Sequence, residues 1–590
     1  MLNTRSLVLA VLPVLLLLFT QQPALQSTQQ IQTFLASLVP TPLHDVVLYN
    51  RPRIITPQGT VVGTTLTDTL KIPVDAFRGI PYALPPIGDL RFRRAVAVKE
   101  SDGIIDASQF GPRCPGKQLL NPKDTGGSED CLTVNVFRPH GVKGKLPVAV
   151  YVHGGAYNRG TANRPASMHN TASMVSWSDE PFVAVSFNYR IGALGFLPST
   201  LTAKEGILNL GLHDQVLLLQ WVQDNIEQFN GDPSQVTLIG LSAGAHSIAH
   251  HIMNHTPDAP LFHRAVIESG AATSRAVHPY NAPLHEAQFT NFLTSTGCAN
   301  LPETSTLPCL RSLPSANITT ASYSTFDKYN PSIRWAFQPV IDHELIKHRP
   351  IDAWHADHWN KMPILTGFNS NEGTYYVPRN ISTSEEFTTF FHNLLPAYTP
   401  SDIQTINNLY PDPATNPDSP YLETRPINIG SQFKRTEAAY GHYAYACPVR
   451  QTAHFASSLS EEPIFLYRWA LNKTVLGGAN HADQMEYETF NPTVRDISET
   501  QEELAGVFHA YVTSFVVFGD PNVLGGRWEG RPTWERYRAG KKEREKVMVF
   551  GEGNDERAGG QGKGVAAKLE GDEWGRKECE FWWGKSGISD

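Results

Sequence analysis

The chain lacks the features that mark several large classes of protein. Beyond an apolar stretch near the N-terminus it has no second long apolar run, and the segment 584–590 is polar. We therefore expect no stable membrane anchor, neither a spanning helix nor a lipid-anchor signal. There is no basic patch, and the net charge is −8. Both observations argue against nucleic acid as a partner.

Internal repeats and linker-like, low-complexity breaks are also missing. A length of 590 residues would suggest about four domains at roughly 150 residues each. Because apolar and polar segments alternate without interruption, we instead expect a single domain over residues 27–590. Residues 1–26 are predicted to be a secretion signal, since a positive charge precedes the apolar Leu7–Phe19 and polar residues follow. An exported chain can be glycosylated at N-x-S/T sequons, which are present at Asn254, Asn317, Asn380 and Asn472.

Cysteine is scarce. The chain has six: Cys114, Cys131, Cys298, Cys309, Cys447 and Cys579. An even count in an exported protein suggests three disulfides, although six cysteines allow fifteen pairings. The near neighbours Cys114–Cys131 and Cys298–Cys309 are the obvious short loops, and they leave Cys447 and Cys579 for a long-range link.

Nearly continuous apolar runs predict buried strands. There are six: Leu146–His153, Phe182–Phe187, Val236–Ile239, Arg264–Glu268, Pro363–Gly367 and Ile464–Trp469. Strands that are apolar on both faces belong to largely parallel sheets covered by helices. Apolar residues at helical spacing predict a helix over Leu210–Gln228. The chain is thus expected to be an α/β protein with a large, mostly parallel central sheet and helices on both faces. Lys541–Lys577, rich in Gly, Lys and Glu, is predicted to be a solvated surface excursion.

One predicted strand leads into the most informative motif. Residues 240–244 read Gly-Leu-Ser-Ala-Gly, directly after Val236–Ile239 and before the helical segment Ala245–Met253. This is the G-x-S-x-G nucleophile elbow, in which a sharp turn between a strand and a helix exposes a serine hydroxyl. Ser242 is therefore the candidate nucleophile, and the alternative is a plain strand-to-helix turn.

A nucleophilic serine needs a base, and the base needs a group that orients it. The chain order serine, acid, histidine is met by Glu372, directly after a predicted strand, and by His481 in a Gly-rich loop. Both lie at strand ends, where catalytic groups of open α/β sheets belong. The segment His153-Gly-Gly-Ala-Tyr157 also closes a strand, and its backbone N–H groups are candidate donors to an oxyanion. Its alternative is an ordinary Gly-rich turn.

Together these motifs resemble the type-B carboxylesterase and cholinesterase-like family of α/β-hydrolases, over roughly residues 45–583. The segments that carry the resemblance are Phe77-Arg-Gly-Ile-Pro-Tyr-Ala83, Glu129-Asp-Cys-Leu-Thr-Val-Asn-Val-Phe-Arg-Pro139, Asn188-Tyr-Arg-Ile-Gly192, Leu210-Gly-Leu-His-Asp-Gln215 and Gly519-Asp-Pro-Asn522. The resemblance implies the α/β-hydrolase fold, hydrolysis of a small-molecule carboxylic ester through an acyl-enzyme, and no cofactor.

It also implies roles for individual residues. The catalytic triad would be Ser242, Glu372 and His481. The oxyanion donors would be the backbone N–H groups of Gly155, Ala156 and Ala243. The other implied features are Ser269 as a support for the acid, the ion pairs Glu129–Arg78 and Arg190–Asp214, and the same three disulfides proposed above.

Departures from the family pattern bear on the substrate. Leu241 stands where the family usually has Glu, which weakens the case for a cationic substrate. Ala156 replaces a glycine and is expected to leave a tighter acyl space. The loop from Cys114 to Cys131 is short and has no aromatic residue. It therefore predicts neither a large lid nor a Trp platform for choline, and a soluble or short-acyl ester is the preferred substrate.

Three alternatives stay open. The protein could be a lipase acting on longer-chain lipid esters, or a non-catalytic cholinesterase-like binding protein, against which the intact triad argues. A metal enzyme is the third, suggested by His246, His250, His251 and His255. Since no H-E-x-x-H motif occurs there, we expect no metal site. Four aromatic residues are candidates for either pocket lining or core packing: Trp335, Phe337, Tyr375 and Tyr376. The sequence leaves the oligomeric state open.

Overall fold

The computed structural model describes residues 51–588 except 118–125, 164–168, 255–258, 276, 426–427, 473–476, 529 and 557–563. The predicted secretion signal therefore lies outside the described residues, as does the middle of the loop between Cys114 and Cys131. Residues Ile54–Asp590 group into one unit. The domain boundaries expected from the sequence stay a prediction.

All six predicted strands are present, and two of them, Arg264–Glu268 and Ile464–Trp469, have the predicted bounds. The strands of the described residues are β1 Arg53–Thr56, β2 Gly59–Val62, β3 Thr64–Leu66, β4 Val74–Pro81, β5 Ile104–Asp106, β6 Thr133–Pro139, β7 Leu146–Val152, β8 Val183–Phe187, β9 Gly231–Leu241, β10 Arg264–Glu268, β11 Ile364–Asn369, β12 Ile464–Trp469, β13 Lys546–Phe550 and β14 Ala567–Gly571.

Within the described residues, these strands form an 11-stranded sheet and a small one. The large sheet has the order β14-β13-β12-β11-β10-β9-β7-β8-β6-β4-β3, and the small sheet has the order β1-β2-β5. All neighbouring pairs from β8 across to β13 are parallel, whereas the pairs towards both edges are antiparallel. The predicted large, mostly parallel sheet is confirmed.

Both faces of this sheet are buried. In β7, Val148, Val150 and Val152 contribute to one hydrophobic core, while Ala149 and Tyr151 contribute to another. Successive side chains of a strand point to opposite faces, so the two cores lie on the two sides of the sheet. This explains why the strands read as continuous apolar runs rather than as alternating patterns.

Helices supply the outer layers: α3, α4 and α12 contribute to the first core, and α1 and α15 to the second. The helices are α1 Thr171–Trp177, α2 Thr200–Lys204, α3 Leu210–Asn225, α4 Ala243–Met253, α5 Pro283–Thr296, α6 Glu303–Ser312, α7 Ser315–Tyr329, α8 Pro350–His355, α9 Ser384–Leu394, α10 Pro400–Leu409, α11 Phe433–Gly441, α12 Cys447–Leu459, α13 Met485–Glu488, α14 Pro492–Arg495, α15 Glu499–Phe518 and α16 Arg576–Lys585. A π-helical segment, His442–Ala446, joins α11 to α12. Among the described helices, none is both long and apolar enough to cross a bilayer.

The prediction that Lys541–Lys577 is a solvated excursion is wrong. This segment contains β13 and β14, which extend the large sheet beyond β12. Val547, Met548 and Val549 of β13 are buried. Strand β13 is only five residues long and begins with a lysine, and the sequence around it is rich in Gly and Lys, so composition alone does not reveal it.

One of the two implied ion pairs is also wrong. Glu129 pairs with Arg91, whose Nε and Nη2 donate to the two carboxylate oxygens at 2.7 and 2.8 Å. Arg78 donates instead to a backbone carbonyl. The two-pronged contact satisfies both oxygens of a buried carboxylate, as planar guanidinium groups do well. The other implied pair is present, with Arg190 donating to Asp214 at 2.6 and 2.8 Å.

The structure contains the three disulfides that were expected. They link Cys114 to Cys131, Cys298 to Cys309 and Cys447 to Cys579, with Cα–Cα distances of 5.0, 5.9 and 5.0 Å. Their sequence separations are 17, 11 and 132 residues. The last disulfide therefore ties the first turn of α12 to α16 near the end of the chain.

Two carboxyl groups meet in the interior beside the sheet. Glu268 ends β10, Glu488 ends α13, and both are buried. The Tyr467 hydroxyl donates to Glu268 Oε1 at 2.6 Å. Burial, together with the negative charge of Glu268, raises the pKa of Glu488 well above its ordinary value. Burial also raises the pKa of Glu268, to about 6. At pH 7 Glu488 is therefore the carboxyl that holds its proton, because two buried carboxylates do not both ionise readily.

The long disulfide is expected to stabilise the fold more than the short one. In the chain-entropy model, closing a loop of 132 residues contributes about 5 kcal/mol and closing one of 11 residues about 3 kcal/mol. The double variant Cys447→Ala/Cys579→Ala should thus lose more free energy of unfolding than Cys298→Ala/Cys309→Ala. Urea unfolding of both variants measures this, and the reverse order would contradict it.

Replacing Glu488 by Gln should stabilise the protein at high pH but not at low pH. The raised pKa means that the folded state holds a proton that the unfolded state releases above its pKa near 4.5. Wild-type stability is therefore lost as the pH rises from that value through the higher pKa of the folded state, whereas Gln keeps an N–H donor and does not ionise. At pH 8 we expect Glu488→Gln to gain on the order of 1 kcal/mol.

Thermal unfolding of wild type and variant at pH 4 and pH 8 measures this difference. The exposed Glu462 provides the matched control, because Glu462→Gln should change the unfolding midpoint equally little at both pH values. An identical shift of Glu488→Gln at both pH values would show that the carboxyl pair does not hold the extra proton.

Candidate active site

Ser242 lies at the sharp turn that the motif predicts. Strand β9 ends at Leu241 and helix α4 begins at Ala243. Between them Ser242 has φ 57° and ψ −124°, a conformation that non-glycine residues rarely adopt. Backbone strain of this kind is stored at functional sites and persists only where the surroundings enforce it.

Two glycines make this turn sterically feasible. A Cβ on Gly244 would lie 2.0 Å from the carbonyl oxygen of Val152 in the neighbouring strand. A Cβ on Gly240 would lie 2.7 Å from Ile248 and 2.8 Å from the carbonyl carbon of Gly244. Side chains at these positions would separate the first turn of α4 from the sheet, which explains the spacing of glycine, serine and glycine.

Glu372 and His481 are brought together from distant parts of the chain. Glu372 follows β11 and His481 lies in the loop after β12, and these two strands are parallel neighbours. His481 Nδ1 lies 2.5 Å from Glu372 Oε2. The other carboxylate oxygen, Oε1, accepts the backbone N–H of Asn369 at 2.7 Å. The acid therefore fixes the imidazole and is itself held by the backbone.

The remaining ring nitrogen of His481 is available. Nε2 is buried and makes no hydrogen bond within the described part of the chain. Its ring packs against Tyr445, with ring centroids 4.5 Å apart, and edge-on against Tyr376 at 5.4 Å. His481 and Ser242 both line one cavity of about 420 Å³. His481, whose Nε2 has no partner within the described residues, and Ser242 thus border the same cavity.

The Gly-rich loop after β7 borders the same cavity. A Cβ on Gly154 would lie 3.1 Å from the Cβ of Ser242, so the loop packs directly on the serine turn. Gly155 has φ 119°, and Ala156 has φ 53°. Ala243 is the first residue of α4, where backbone N–H groups have no partner within the helix. Backbone donors from two segments therefore approach the position of Ser242.

Ser269 lies near these groups without a hydrogen bond from its side chain. Its backbone N–H donates to the carbonyl of Gly367 at 2.8 Å, and φ is 49°. The hydroxyl is buried and has no hydrogen-bond partner within the described residues. Its support for the acid stays a prediction.

The apolar residue before the nucleophile and two of the aromatic candidates line the cavity. Leu241 stands beside Ser242, and Tyr375 and Tyr376 form part of the wall. Trp335 lines a different cavity, and Phe337 is packed in the core at 1% exposure. No carboxylate therefore stands directly before the serine.

The described histidines after the elbow are buried residues of α4. His246 Nδ1 contacts the carbonyl of Ala271 at 3.0 Å, and His251 Nε2 contacts Gln215 at 2.8 Å. Burial lowers the pKa of His250 to about 3. His255 lies outside the described residues. Within them, no group of three or more His, Cys, Asp or Glu is arranged to hold a metal ion.

Sequence reasoning missed two residues that border the site. Tyr445 contacts the His481 ring from the π-helical segment, and no local motif marks it. Asp483 lines the cavity and accepts the backbone N–H of Asn480 at 2.7 Å. In the sequence, only its position two residues after His481 suggested that Asp483 lies near the site.

The four sequons differ in exposure. Asn317 and Asn380 are exposed, whereas Asn254 and Asn472 are partly buried. Glycosylation at any of them stays a prediction.

Comparisons with known proteins identify the family to which the chain belongs. A model of the carboxylesterase family matches residues 50–570. The chain is 36% identical to secreted lipase 4 of Gibberella zeae over 533 residues, which cover 89% of this chain and 91% of that protein. It is 32% identical to lipase 4 of Diutina rugosa over 461 residues, 72% of this chain and 82% of the relative.

A solved structure shows the same architecture. The chain is similar to EstA of Aspergillus niger with a TM-score of 0.76 and 28% sequence identity, covering 91% of this chain and 98% of that one. The matches of sequence and fold both indicate one family. The chain belongs to the carboxylesterase family and is a carboxylic ester hydrolase with the α/β-hydrolase fold.

Proposed function

We propose that Ser242, His481 and Glu372 form the catalytic triad of this ester hydrolase. The observation that carries the proposal is the 2.5 Å contact between His481 Nδ1 and Glu372 Oε2. It leaves Nε2 without a hydrogen bond within the described residues, and His481 lines the same cavity as Ser242. In this arrangement His481 removes the hydroxyl proton as Ser242 attacks the ester carbonyl.

Backbone donors stabilise the charge that develops on the carbonyl oxygen. We assign this role to the N–H groups of Gly155, Ala156 and Ala243, which flank the serine from two sides. Preformed donors of this kind are among the largest contributions to acyl transfer. The alcohol leaves with the proton from His481, and the same imidazole activates the water that releases the acid. Glu372 stabilises the imidazolium in both steps.

The preferred substrates in this proposal are soluble or short-acyl esters. Two residues support this preference. Leu241 replaces the glutamate usual in the family and so removes a negative charge, and Ala156 replaces a glycine and so narrows the acyl space beside Ser242. The alternative is a lipase that acts on longer-chain esters. It is favoured by the names of two relatives, secreted lipase 4 and lipase 4, and by a cavity of about 420 Å³.

We further propose that the protein acts outside the cell. The N-terminal signal pattern, the disulfides and the relatives named as secreted lipases support export. Beyond the ester substrate the proposal includes no partner, cofactor or nucleic acid.

Turnover of p-nitrophenyl esters of increasing acyl length separates these substrate classes. The wild type should be most active on short acyl chains, and Ser242→Ala should lose nearly all activity, about 10⁶-fold in kcat. An optimum at long acyl length would favour the lipase alternative. Undiminished turnover by Ser242→Ala would refute the assignment of the nucleophile.

The acid is tested by replacing Glu372 with Gln. Gln preserves the shape but cannot hold His481 in the tautomer that accepts the serine proton, so kcat should fall by about 10³–10⁴-fold. KM should change little, since Glu372 does not line the cavity. Steady-state kinetics of Glu372→Gln beside the exposed control Glu462→Gln measure this. Equal kcat values in the two variants would show that Glu372 does not orient the base.

A further inference from the structure

A second cavity lies beside the candidate active site. Its volume is about 70 Å³, and none of the described residues that line it also lines the larger cavity. Arg275, Arg334, His250, His285 and Ser274 contribute to its wall, and no Asp or Glu does so among the described residues. Among the described residues the lining thus contains two guanidinium groups and no carboxylate.

Arg275 is the central feature of this cavity. Its guanidinium carbon lies 3.9 Å from the ring centroid of Trp335 and 5.3 Å from that of Tyr445. It donates to the Tyr445 hydroxyl, whereas its Nε is buried without a hydrogen-bond partner. The ionisable side chains that act on it most are the phenols of Tyr376, Tyr440, Tyr443 and Tyr445, and a phenol with a pKa of about 10 is neutral at pH 7. Arg275 is partly buried and makes no ion pair within the described residues. Because partial burial of an unpaired charge is costly, an anion would be stabilised beside it.

Three further polar groups in the wall lack partners. The Ser274 hydroxyl, His250 Nδ1 and His285 Nε2 are buried and make no hydrogen bonds within the described residues. Burial lowers the pKa of His250 to about 3 and that of His285 to about 4, so both rings are neutral at pH 7. A neutral imidazole and a hydroxyl can each donate one hydrogen bond. Unsatisfied buried groups of this kind need an explanation.

We propose that this cavity binds a carboxylate anion against Arg275. A void of about 70 Å³ exceeds the ~10–15 Å³ that one water molecule needs, so a group of three heavy atoms fits. A guanidinium is well suited to carboxylate because its planar N–H groups match two oxygens. Ser274, His250 and His285 supply further donors. This site goes beyond the proposed ester hydrolysis, since its ligand need not react.

Its position couples the anion site to the candidate active site. Tyr445 receives a hydrogen bond from Arg275 on one side and packs against the His481 ring on the other. One aromatic side chain therefore separates the bound carboxylate from the imidazole. The carboxylate has two sources: a free acid, such as the product of ester hydrolysis, or a carboxylate group carried by the ester itself.

Calorimetric titration with sodium acetate at constant ionic strength tests the site directly. Ser242→Ala is used as the host, so that binding is measured whether or not the protein hydrolyses esters. We expect saturable binding with a Kd at or below about 1 mM. Adding Arg275→Gln to this host should weaken acetate binding at least about tenfold, whereas adding Arg275→Lys should preserve part of the affinity.

The matched control is Arg527→Gln. Arg527 also lies over aromatic rings, 4.8 Å from the centroid of Trp177, but it does not line the cavity, so its replacement should leave acetate binding unchanged. If Arg275→Gln does not fold, Ser274→Ala tests the proposal instead, since it keeps the Arg275 guanidinium and removes only the Ser274 hydroxyl donor. It should weaken binding several-fold. Absence of acetate binding up to about 100 mM, or equal binding by Ser274→Ala and the host, would overturn the proposal.

Hydrolysis distinguishes the two sources of the carboxylate. The esters are p-nitrophenyl hydrogen succinate and p-nitrophenyl butyrate, which have the same acyl length and differ in one carboxylate. If the ester carries the anion, Arg275→Gln should lower kcat/KM at least about tenfold for the succinate and not for the butyrate. Equal effects on both esters, with acetate binding intact in the host, would assign the site to a free acid.

Discussion

The turn at Ser242 is the constraint on which the rest of the site depends. The backbone of Ser242 is strained, with φ 57°. The close packing of α4 against the sheet keeps it in this conformation. A Cβ on Gly244 would lie 2.0 Å from Val152 O, so the helix sits directly against the sheet. The same close packing brings the loop of Gly154 and Gly155 against the serine. One steric arrangement thus positions both the proposed nucleophile and the proposed backbone donors.

The sheet then brings the other groups to this point. Because β11 and β12 are parallel neighbours, their carboxyl ends deliver Glu372 and His481 to the same edge although 109 residues separate them. The interior around them is rich in ionisable groups held in defined states. Glu488 keeps a proton beside Glu268, and Arg275 keeps its charge among aromatic rings. The buried ionisable groups behind the proposed triad therefore have defined charge states.

Much of this arrangement could be predicted from the sequence, for physical reasons. Strands buried on both faces read as long apolar runs, and the elbow motif and its chain order follow from the steric and chemical needs of the site. Lys541–Lys577 could not be recognised, because a five-residue strand stands among Gly and Lys. Arg91 was missed as the partner of Glu129, and Tyr445 as the neighbour of His481. Such contacts join segments far apart in sequence and leave no local pattern.

Stoichiometric labelling by a fluorophosphonate, followed by peptide mass spectrometry, tests the central claim most directly. This reagent captures a serine only where an adjacent base and an oxyanion site activate it. The account predicts one adduct per chain, located on Ser242, and strongly slowed labelling in His481→Ala. An adduct on another serine, or ester hydrolysis that persists in the fully labelled protein without an adduct at Ser242, would contradict it.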